Sequence, residues 1–220
     1  MINDLQQTPE WFAYRMGKLT ASRMLEAMDR TAKGLSGAKR ESLIFEKAVE
    51  RITGLPQSKD ISRVPAVAWG TEMEPHAKMA VTLELGIIGK NASLIDHPEI
   101  DLFSASPDWI VNGKPWEFKC PETKTHFKYL LDNNVPEQYQ PQMAVQCLCM
   151  GVTEGVFVSY DPRVPKQYQL IVRPFKPSAD YLNAVEQEAI QTLKEIAELA
   201  DKLAKGKTYD ETITTDSGSV

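Results

Sequence analysis

The sequence predicts a single α/β domain in which a mixed β-sheet is flanked by helices. Helical patterns dominate the first part of the chain, and short apolar runs bounded by turn residues alternate with further helices after it. With 220 residues, 42% of them apolar, the chain is long enough to bury one sizeable core. We predict one domain over residues 1–206. The tail over 207–220 is rich in Thr and Ser and has almost no apolar side chains, a composition typical of disorder.

The first half of the chain carries mainly helix signals. Thr8 and Thr20-Ala21-Ser22 can cap short early helices, because their side-chain oxygens accept hydrogen bonds from backbone N–H groups. Residues 39–53 have a helical pattern that ends at a Gly-Leu-Pro sequence, and residues 65–85 have another that ends at Gly86.

Strands and helices alternate in the second half. The predicted strands outside the central hairpin span about residues 87–96, 101–106, 154–160 and 167–173. The predicted helices span about residues 123–132, 137–150 and 178–205. The last of these has an apolar stripe at helical spacing: Leu182, Val185, Ala189, Leu193, Ile196, Ala200 and Leu203.

The central hairpin has a register that can be read directly from the sequence. Asn112-Gly113 between two apolar runs predicts a two-residue turn, because a type I′ turn requires positive φ at both central residues. This turn pairs Val111 with Lys114, Trp109 with Trp116, and Asp108 with Glu117. Strand alternation then gives the hairpin an apolar face and a polar face.

The polar face of the hairpin carries Asp108, Glu117 and Lys119. Two carboxylates opposite each other on a sheet repel, so a cation between them stabilises the pair. Oxygen ligands without His or thiolate suit Mg²⁺ or Mn²⁺. The pattern therefore predicts metal-assisted phosphodiester hydrolysis, with Lys119 orienting the attacking water and offsetting charge on the phosphate. The alternative is a common exposed Glu-x-Lys ion pair on a strand.

Four ordered stretches of the chain form a set of motifs: Trp11–Ser22, Ala68–Glu74, Ser106–Pro121 and Tyr139–Arg163. At these stretches the sequence resembles the PD-(D/E)xK nuclease superfamily, and within it the phage lambda-type exonucleases of viral recombination. The resemblance implies a restriction-endonuclease-like core. It also implies a Mg²⁺-dependent 5′→3′ exodeoxyribonuclease that degrades one strand of linear duplex DNA from 5′-phosphorylated ends and leaves 3′ single strand for annealing.

The resemblance further implies a homotrimeric ring and a single-strand annealing protein as partner. Two alternatives to an exonuclease stay open. One is a structure-specific endonuclease or resolvase of the same superfamily, and the other is a DNA-binding module that kept the fold without catalysis. A closed circular substrate distinguishes the first alternative, because an exonuclease needs an end.

The resemblance also assigns residues around the metal. Glu74 matches a metal-linked acidic position, acting directly or through water, and the backbone carbonyl of Phe118 is a further ligand. Two ions per site are implied, with Mn²⁺ expected to substitute for Mg²⁺. Gln142 matches a position near the metal, or it is a buried amide bonded to backbone. His76 corresponds to a helix position that holds His in related nucleases, and otherwise it is an ordinary residue.

Arg15, Ser22 and Ser106 match the residues that hold the 5′-terminal phosphate in the resembled family. The match is physically reasonable, because Arg offers phosphate a planar bidentate fork and hydroxyls near a helix start add donors. The alternatives are a surface ion pair for Arg15 and a helix cap for Ser22.

Charge and cysteine content add further expectations. A net charge of −5 does not by itself indicate a DNA-binding protein, but residues 30–40 carry four positive charges and no negative one. This segment predicts a mobile loop that is either solvated or in contact with a phosphate backbone. Three cysteines, with Cys147-Leu148-Cys149 predicted on a buried helix, favour neither disulfides nor zinc. The absence of a long apolar run or signal-peptide pattern predicts a cytoplasmic protein with no membrane association.

Overall fold

The computed structural model describes residues 8–57 and 64–206, so the tail predicted over 207–220 lies outside the described residues. The helices are α1 (Pro9–Arg15), α2 (Met24–Ala27), α3 (Ala38–Thr53), α4 (Pro65–Leu85), α5 (Thr123–Leu131), α6 (Gln140–Met150) and α7 (Ala179–Ala204). The strands are β1 (Leu19–Thr20), β2 (Ile95–Asp96), β3 (Phe103–Ala105), β4 (Trp109–Val111), β5 (Lys114–Lys119), β6 (Gly155–Tyr160) and β7 (Leu170–Phe175). Among the described residues, none of these helices combines the length and apolar character needed to cross a membrane.

The strands form two sheets. The order in the first is β1-β3-β2, with β1 parallel and β2 antiparallel to β3. The order in the second is β4-β5-β6-β7, where β5 and β6 are parallel and the other pairs are antiparallel. The predicted α/β class, with mixed β-structure flanked by helices, is confirmed, although the strands are divided between two sheets.

The hairpin of β4 and β5 has the predicted register. Trp109 pairs with Trp116 and Val111 with Lys114. The turn residues Asn112 and Gly113 both have positive φ, 51° and 78°, as a type I′ turn requires. The two faces of β5 therefore point toward different helices.

Helices α4 and α6 cover opposite faces of this sheet. On the apolar face, Met73 and Ala77 of α4 pack in one buried cluster with Trp116 and Phe118. On the other face, α6 contributes to a separate core cluster that includes Phe157 of β6. The polar side chains of β5 thus lie beneath α6, at the boundary of the larger core.

The prediction of a strand over residues 87–96 is wrong for most of that segment. Only Ile95–Asp96 forms a strand there, and Lys90 makes one isolated bridge with Ile110. The chain crosses the apolar face closely at Gly89, where an added Cβ would lie 2.6 Å from the Trp109 ring. The segment therefore packs on the Trp109 ring and makes only one isolated bridge before Ile95.

The basic loop is held in place at both ends rather than mobile. Arg40 is 2% exposed and donates to Glu188 across 2.6 Å and to Glu195 across 2.9 Å, both on α7. Arg30 also donates to Glu188, across 2.5 Å. Two of the four cations are therefore neutralised within the fold, whereas Lys33 is exposed.

Candidate active site

Asp108 and Glu117 are held next to each other by the hairpin. Asp108 precedes β4, and its backbone N–H donates to the carbonyl of Trp116 across 3.1 Å. Its Oδ2 accepts from the backbone N–H of Phe118 across 2.7 Å. These two bonds fix the Asp108 carboxylate against the strand that carries Glu117, as the predicted register requires.

Glu117 is only 1% exposed, and hydrogen-bond donors engage both of its oxygens. Gln142 Nε2 donates to Oε1 across 2.6 Å, and Gln146 Nε2 donates to Oε2 across 2.5 Å. Lys119 Nζ lies 2.6 Å from Oε1. A buried carboxylate needs such partners to remain ionised. Gln142 therefore bonds to this carboxylate rather than to backbone.

Gln146 was missed by sequence reasoning. It lies one turn after Gln142 on α6, so the two amides share a face and reach the same carboxylate. The i, i+4 spacing of two Gln residues on a predicted helix was the available signal. Gln146 is fully buried, and within the described residues its Oε1 has no hydrogen-bond partner.

The carboxylates affect each other's ionisation. Burial, together with the charges of Glu117 and Glu74, raises the pKa of Asp108 well above its ordinary value. Burial alone would lower the pKa of Lys119, but Glu117 and Asp108 outweigh it and raise that pKa above its ordinary value. Lys119 is therefore a cation in the metal-free site.

Glu74, on α4, belongs to the same electrostatic site, since its charge acts on Asp108. Its Oε1 lies 2.6 Å from Lys78 Nζ, and Lys78 also donates to Asn91 across 3.1 Å. Lys78 was not identified from the sequence, although the Glu-x-x-x-Lys spacing on a helix was a signal. His76 is exposed on the same helix.

The donor set fits a divalent cation that keeps water or phosphate ligands. Within the described parts of the chain, no group of three His, Cys, Asp or Glu side chains is close enough to hold a metal on its own. Mg²⁺ commonly takes only one or two protein carboxylates and completes its shell with water and substrate phosphate. Asp108 and Glu117 supply that number. A cation beside them would relieve the repulsion that raises the pKa of Asp108.

Arg15 and Ser22 are brought together in a second cluster. Arg15 Nη2 donates to Thr20 Oγ1 across 3.1 Å and to Ser22 Oγ across 3.0 Å. The guanidinium also lies 4.0 Å from the centroid of the Trp11 ring. Ser22 thus bonds to Arg15 instead of capping a helix. The sequence predicted Thr20 only as part of a possible helix cap, and its place in this cluster was not predicted.

Arg15 has no acidic partner among the residues that the structure describes. Among the described residues, Arg15 forms no ion pair with a carboxylate, whereas the neighbouring Arg23 binds Glu26 across 2.7 Å and Glu46 across 2.8 Å. Burial, together with the charge of Arg23, lowers the pKa of Arg15 to about 10. A half-buried cation without an acidic partner is suited to receive an anion.

A cleft of about 290 Å³ lies next to residues of both clusters. Its lining residues are Ala21, Ser22, Leu25, Gln138, Tyr139 and Gln142. Ser22 belongs to the Arg15 cluster, and Gln142 bonds to Glu117. Lys119 Nζ lies 5.1 Å from the centroid of the Tyr139 ring. The cleft is therefore lined by one hydrogen-bond partner of Arg15 and one of Glu117.

Ser106 joins the two clusters along the chain. Thr20 pairs with Ser104 in the first sheet, and Ser106 follows two residues later, partly exposed, before Pro107-Asp108. The structure thus places Ser106 between the strand next to Thr20 and the first carboxylate.

The thiols of α6 take no part in the site. Cys147 and Cys149 are buried and free, on a helix as predicted. Burial raises the pKa of each thiol to about 12, so both are protonated at neutral pH.

Comparisons with known proteins identify the family and the fold. A family described as the YqaJ-like viral recombinase domain matches residues 10–154. The chain is similar to an alkaline exonuclease, LHK-Exo, from Laribacter hongkongensis, with 34% identity and a TM-score of 0.81 over 90% of this chain and 97% of that one. The structure of LHK-Exo in complex with dAMP matches with 36% identity and a TM-score of 0.80 over the same shares of the two chains.

A phage-related exonuclease from Haemophilus somnus 129PT shares the fold, with a TM-score of 0.66 over 84% of this chain and 96% of that one, at 12% identity. No curated protein sequence matches the chain significantly.

Proposed function

The chain belongs to the family of YqaJ-like viral recombinase domains, and we propose that it is a Mg²⁺-dependent 5′→3′ exodeoxyribonuclease acting on linear duplex DNA. The resemblance to lambda-type exonucleases is confirmed by this membership and by the similarity to the alkaline exonuclease. In the proposed reaction the enzyme degrades one strand from a 5′-phosphorylated end and leaves 3′ single strand for recombination by annealing. A homotrimeric ring, a single-strand annealing partner and a cytoplasmic location stay predictions.

The observation that carries the proposal is one cleft lined by a member or partner of each cluster. Ser22 bonds to Arg15, which has no carboxylate partner among the described residues, and Gln142 bonds to Glu117. A terminal phosphate has more negative charge than an internal phosphodiester, so it is the better ligand for an uncompensated guanidinium. With Ser106 as a further donor, this cluster would hold the 5′ end while the next phosphodiester lies near the carboxylates.

The proposed metal ligands are Asp108 and Glu117, with the Phe118 carbonyl and Glu74, directly or through water, completing sites for two ions. When bound, Mg²⁺ supplies positive charge that polarises a phosphoryl oxygen and lowers the pKa of a water molecule. Gln142 and Gln146 keep the Glu117 carboxylate oriented. Asp108 is oriented by the Phe118 N–H.

Lys119 is proposed to stabilise charge at the phosphate. Its Nζ lies 2.6 Å from Glu117 Oε1 and has a raised pKa in the metal-free site. A cation held there can donate to the attacking water or to a phosphate oxygen. The role expected from the sequence, orienting water and offsetting charge, is consistent with this protonation state.

A digestion assay tests the proposal. Linear duplex and closed circular duplex of the same sequence are each incubated with the protein in Mg²⁺ or in excess chelator. We expect digestion of the linear DNA only, and only with Mg²⁺. Cleavage of the circle would favour the endonuclease alternative. DNA binding without digestion in either Mg²⁺ or Mn²⁺ would favour the non-catalytic module.

A further inference from the structure

Both backbone polar groups of Gly17 form hydrogen bonds with side chains at the C-terminal end of α3. Its backbone N–H donates to Glu50 Oε2 across 2.8 Å, and its carbonyl accepts from Arg51 Nε across 2.9 Å. Gly17 lies between Arg15 and Thr20, the two residues whose side chains bond to each other in the phosphate cluster. Two consecutive residues of α3 therefore hold the short connection that separates these partners.

The contact is tight and largely withdrawn from solvent. Glu50 is 3% exposed, and its Oε2 also accepts from Lys47 Nζ across 2.8 Å. Gly17 has a φ of +70°, and an added Cβ would lie 2.9 Å from Arg51 Cγ. A residue other than glycine would be strained here by its backbone conformation and by the Arg51 side chain.

A buried charged pair is weak evidence for stability, because desolvation offsets the attraction between the charges. The pair of Lys47 and Glu50 is of this kind, but Glu50 also accepts from the Gly17 N–H, and Arg51 donates to the Gly17 carbonyl. The consequence is a fixed exit direction for α1 and a fixed start for β1. Arg15 ends α1 and Thr20 ends β1, so their separation depends on this turn.

We propose that Glu50 and Arg51 are positioning residues for the 5′-phosphate receptor, an inference that rests on the proposed function. They fix Gly17 so that the Arg15 guanidinium stays beside Thr20 and Ser22 without a carboxylate partner. A cation that is half-buried and unpaired gains hydration when it swings outward, so it needs a rigid backbone to stay in place. Removing either hydrogen bond to Gly17 should therefore weaken binding of the terminal phosphate. The positions of the side chains around Glu117 should not change.

The test separates phosphate capture from cleavage. We would measure kcat and KM in Mg²⁺ on linear duplexes with either a 5′-phosphate or a 5′-hydroxyl, at a temperature where every variant is folded by its thermal unfolding curve. Arg51→Met keeps the aliphatic stem and removes the donor to Gly17. It should raise KM for the phosphorylated duplex about tenfold, the effect of losing one hydrogen bond to a charged group. KM for the hydroxyl duplex and kcat on both should stay near the parent values.

Two variants of Glu50 test the other hydrogen bond to Gly17. Glu50→Ala should reduce the preference for the phosphorylated end as Arg51→Met does. Glu50→Gln keeps an oxygen acceptor for the Gly17 N–H and should restore most of the preference. The matched control is Arg40→Met, which removes a more deeply buried arginine bonded to Glu188 and Glu195. It should lower stability without changing the ratio of KM values for the two ends.

The outcomes distinguish the two levels of the proposal. If the parent prefers phosphorylated ends and Arg51→Met and Glu50→Ala retain that preference, the positioning role is wrong and the proposed function stands. An equal change in KM for both duplexes would also overturn the positioning role, because it would indicate a structural defect only. If the parent does not distinguish the two ends, both the phosphate receptor and this inference are wrong.

Discussion

The backbone N–H of Phe118 donates to Asp108 Oδ2 across 2.7 Å. This bond ties the first carboxylate to the strand that carries the second one, Glu117. The Asp108 carboxylate, although it precedes β4, is therefore anchored to a β-strand, and rigid elements hold reactive groups more accurately than loops do. The bond also leaves the other Asp108 oxygen, Oδ1, without this backbone donor.

Asp108→Asn and Glu117→Gln should each abolish Mg²⁺-dependent digestion of linear duplex. Each change preserves the shape of the side chain and removes one negative charge from the proposed metal site. Titration calorimetry with Mn²⁺, in the absence of DNA, should show binding to the parent and greatly weakened binding to both variants. Full activity in either variant would refute the assignment of the hairpin carboxylates as metal ligands.

Asp108→Asn should also stabilise the metal-free protein. The charges of Glu117 and Glu74 act against ionisation of Asp108, so an uncharged amide removes repulsion that the folded parent retains. A gain of about 1 kcal/mol corresponds to a rise in Tm of about 2–4 °C for a chain of this size. The measurement is thermal unfolding in chelator. A lower Tm for the variant would mean that the carboxylate stabilises the fold through its bond to Phe118.

Lys119→Ala should lose catalysis while keeping Mn²⁺ and DNA binding. The cation is placed to stabilise charge that develops in the transition state, and one such contact is typically worth about 10²–10³ in rate. Single-turnover digestion gives the rate, and equilibrium binding in Ca²⁺ gives DNA affinity. A variant that cleaves at the parental rate but binds DNA poorly would make Lys119 a phosphate anchor only.

Gln146→Met should reduce activity about 10–100-fold, the usual cost of removing a group that orients a metal ligand. Met has a similar volume but cannot donate to Glu117 Oε2, which Gln146 Nε2 reaches across 2.5 Å. Gln146→Glu is the companion variant, because it places a second buried carboxylate against the first and should lower Tm as well. Parental activity in Gln146→Met would show that Gln142 and Lys119 suffice to orient Glu117.

The structural features that the sequence predicted correctly are those fixed by local rules. Asn112-Gly113 set the turn, the turn set the register, and the register placed Asp108 beside Glu117. Helices α3, α4 and α7 followed from periodicity and from their terminal residues, and Thr8 caps α1 as expected. No contact between distant segments was needed for these predictions.

The errors came from contacts between distant parts of the chain. Arg30 and Arg40 looked free in the sequence, but their partner Glu188 is 158 and 148 residues away. The segment after Gly86 alternates well enough to suggest a strand, yet Gly89 packs on the Trp109 ring and only Ile95–Asp96 forms a strand there. Nothing next to Gln146 in the sequence shows that α6 lies over β5, where its amide reaches Glu117. In each case tertiary packing outweighed the local pattern.

Product analysis on a duplex with a radiolabelled 5′-phosphate on one strand is the most direct test of the central claim. If Arg15 and Ser22 hold the terminal phosphate while Asp108 and Glu117 serve the next phosphodiester, the first labelled product in Mg²⁺ is a mononucleotide. The long labelled strand should lose its label before it shortens measurably from the other end. A labelled product longer than a few nucleotides, or a label that stays on progressively shorter strands, would contradict the proposed polarity and the two-cluster site.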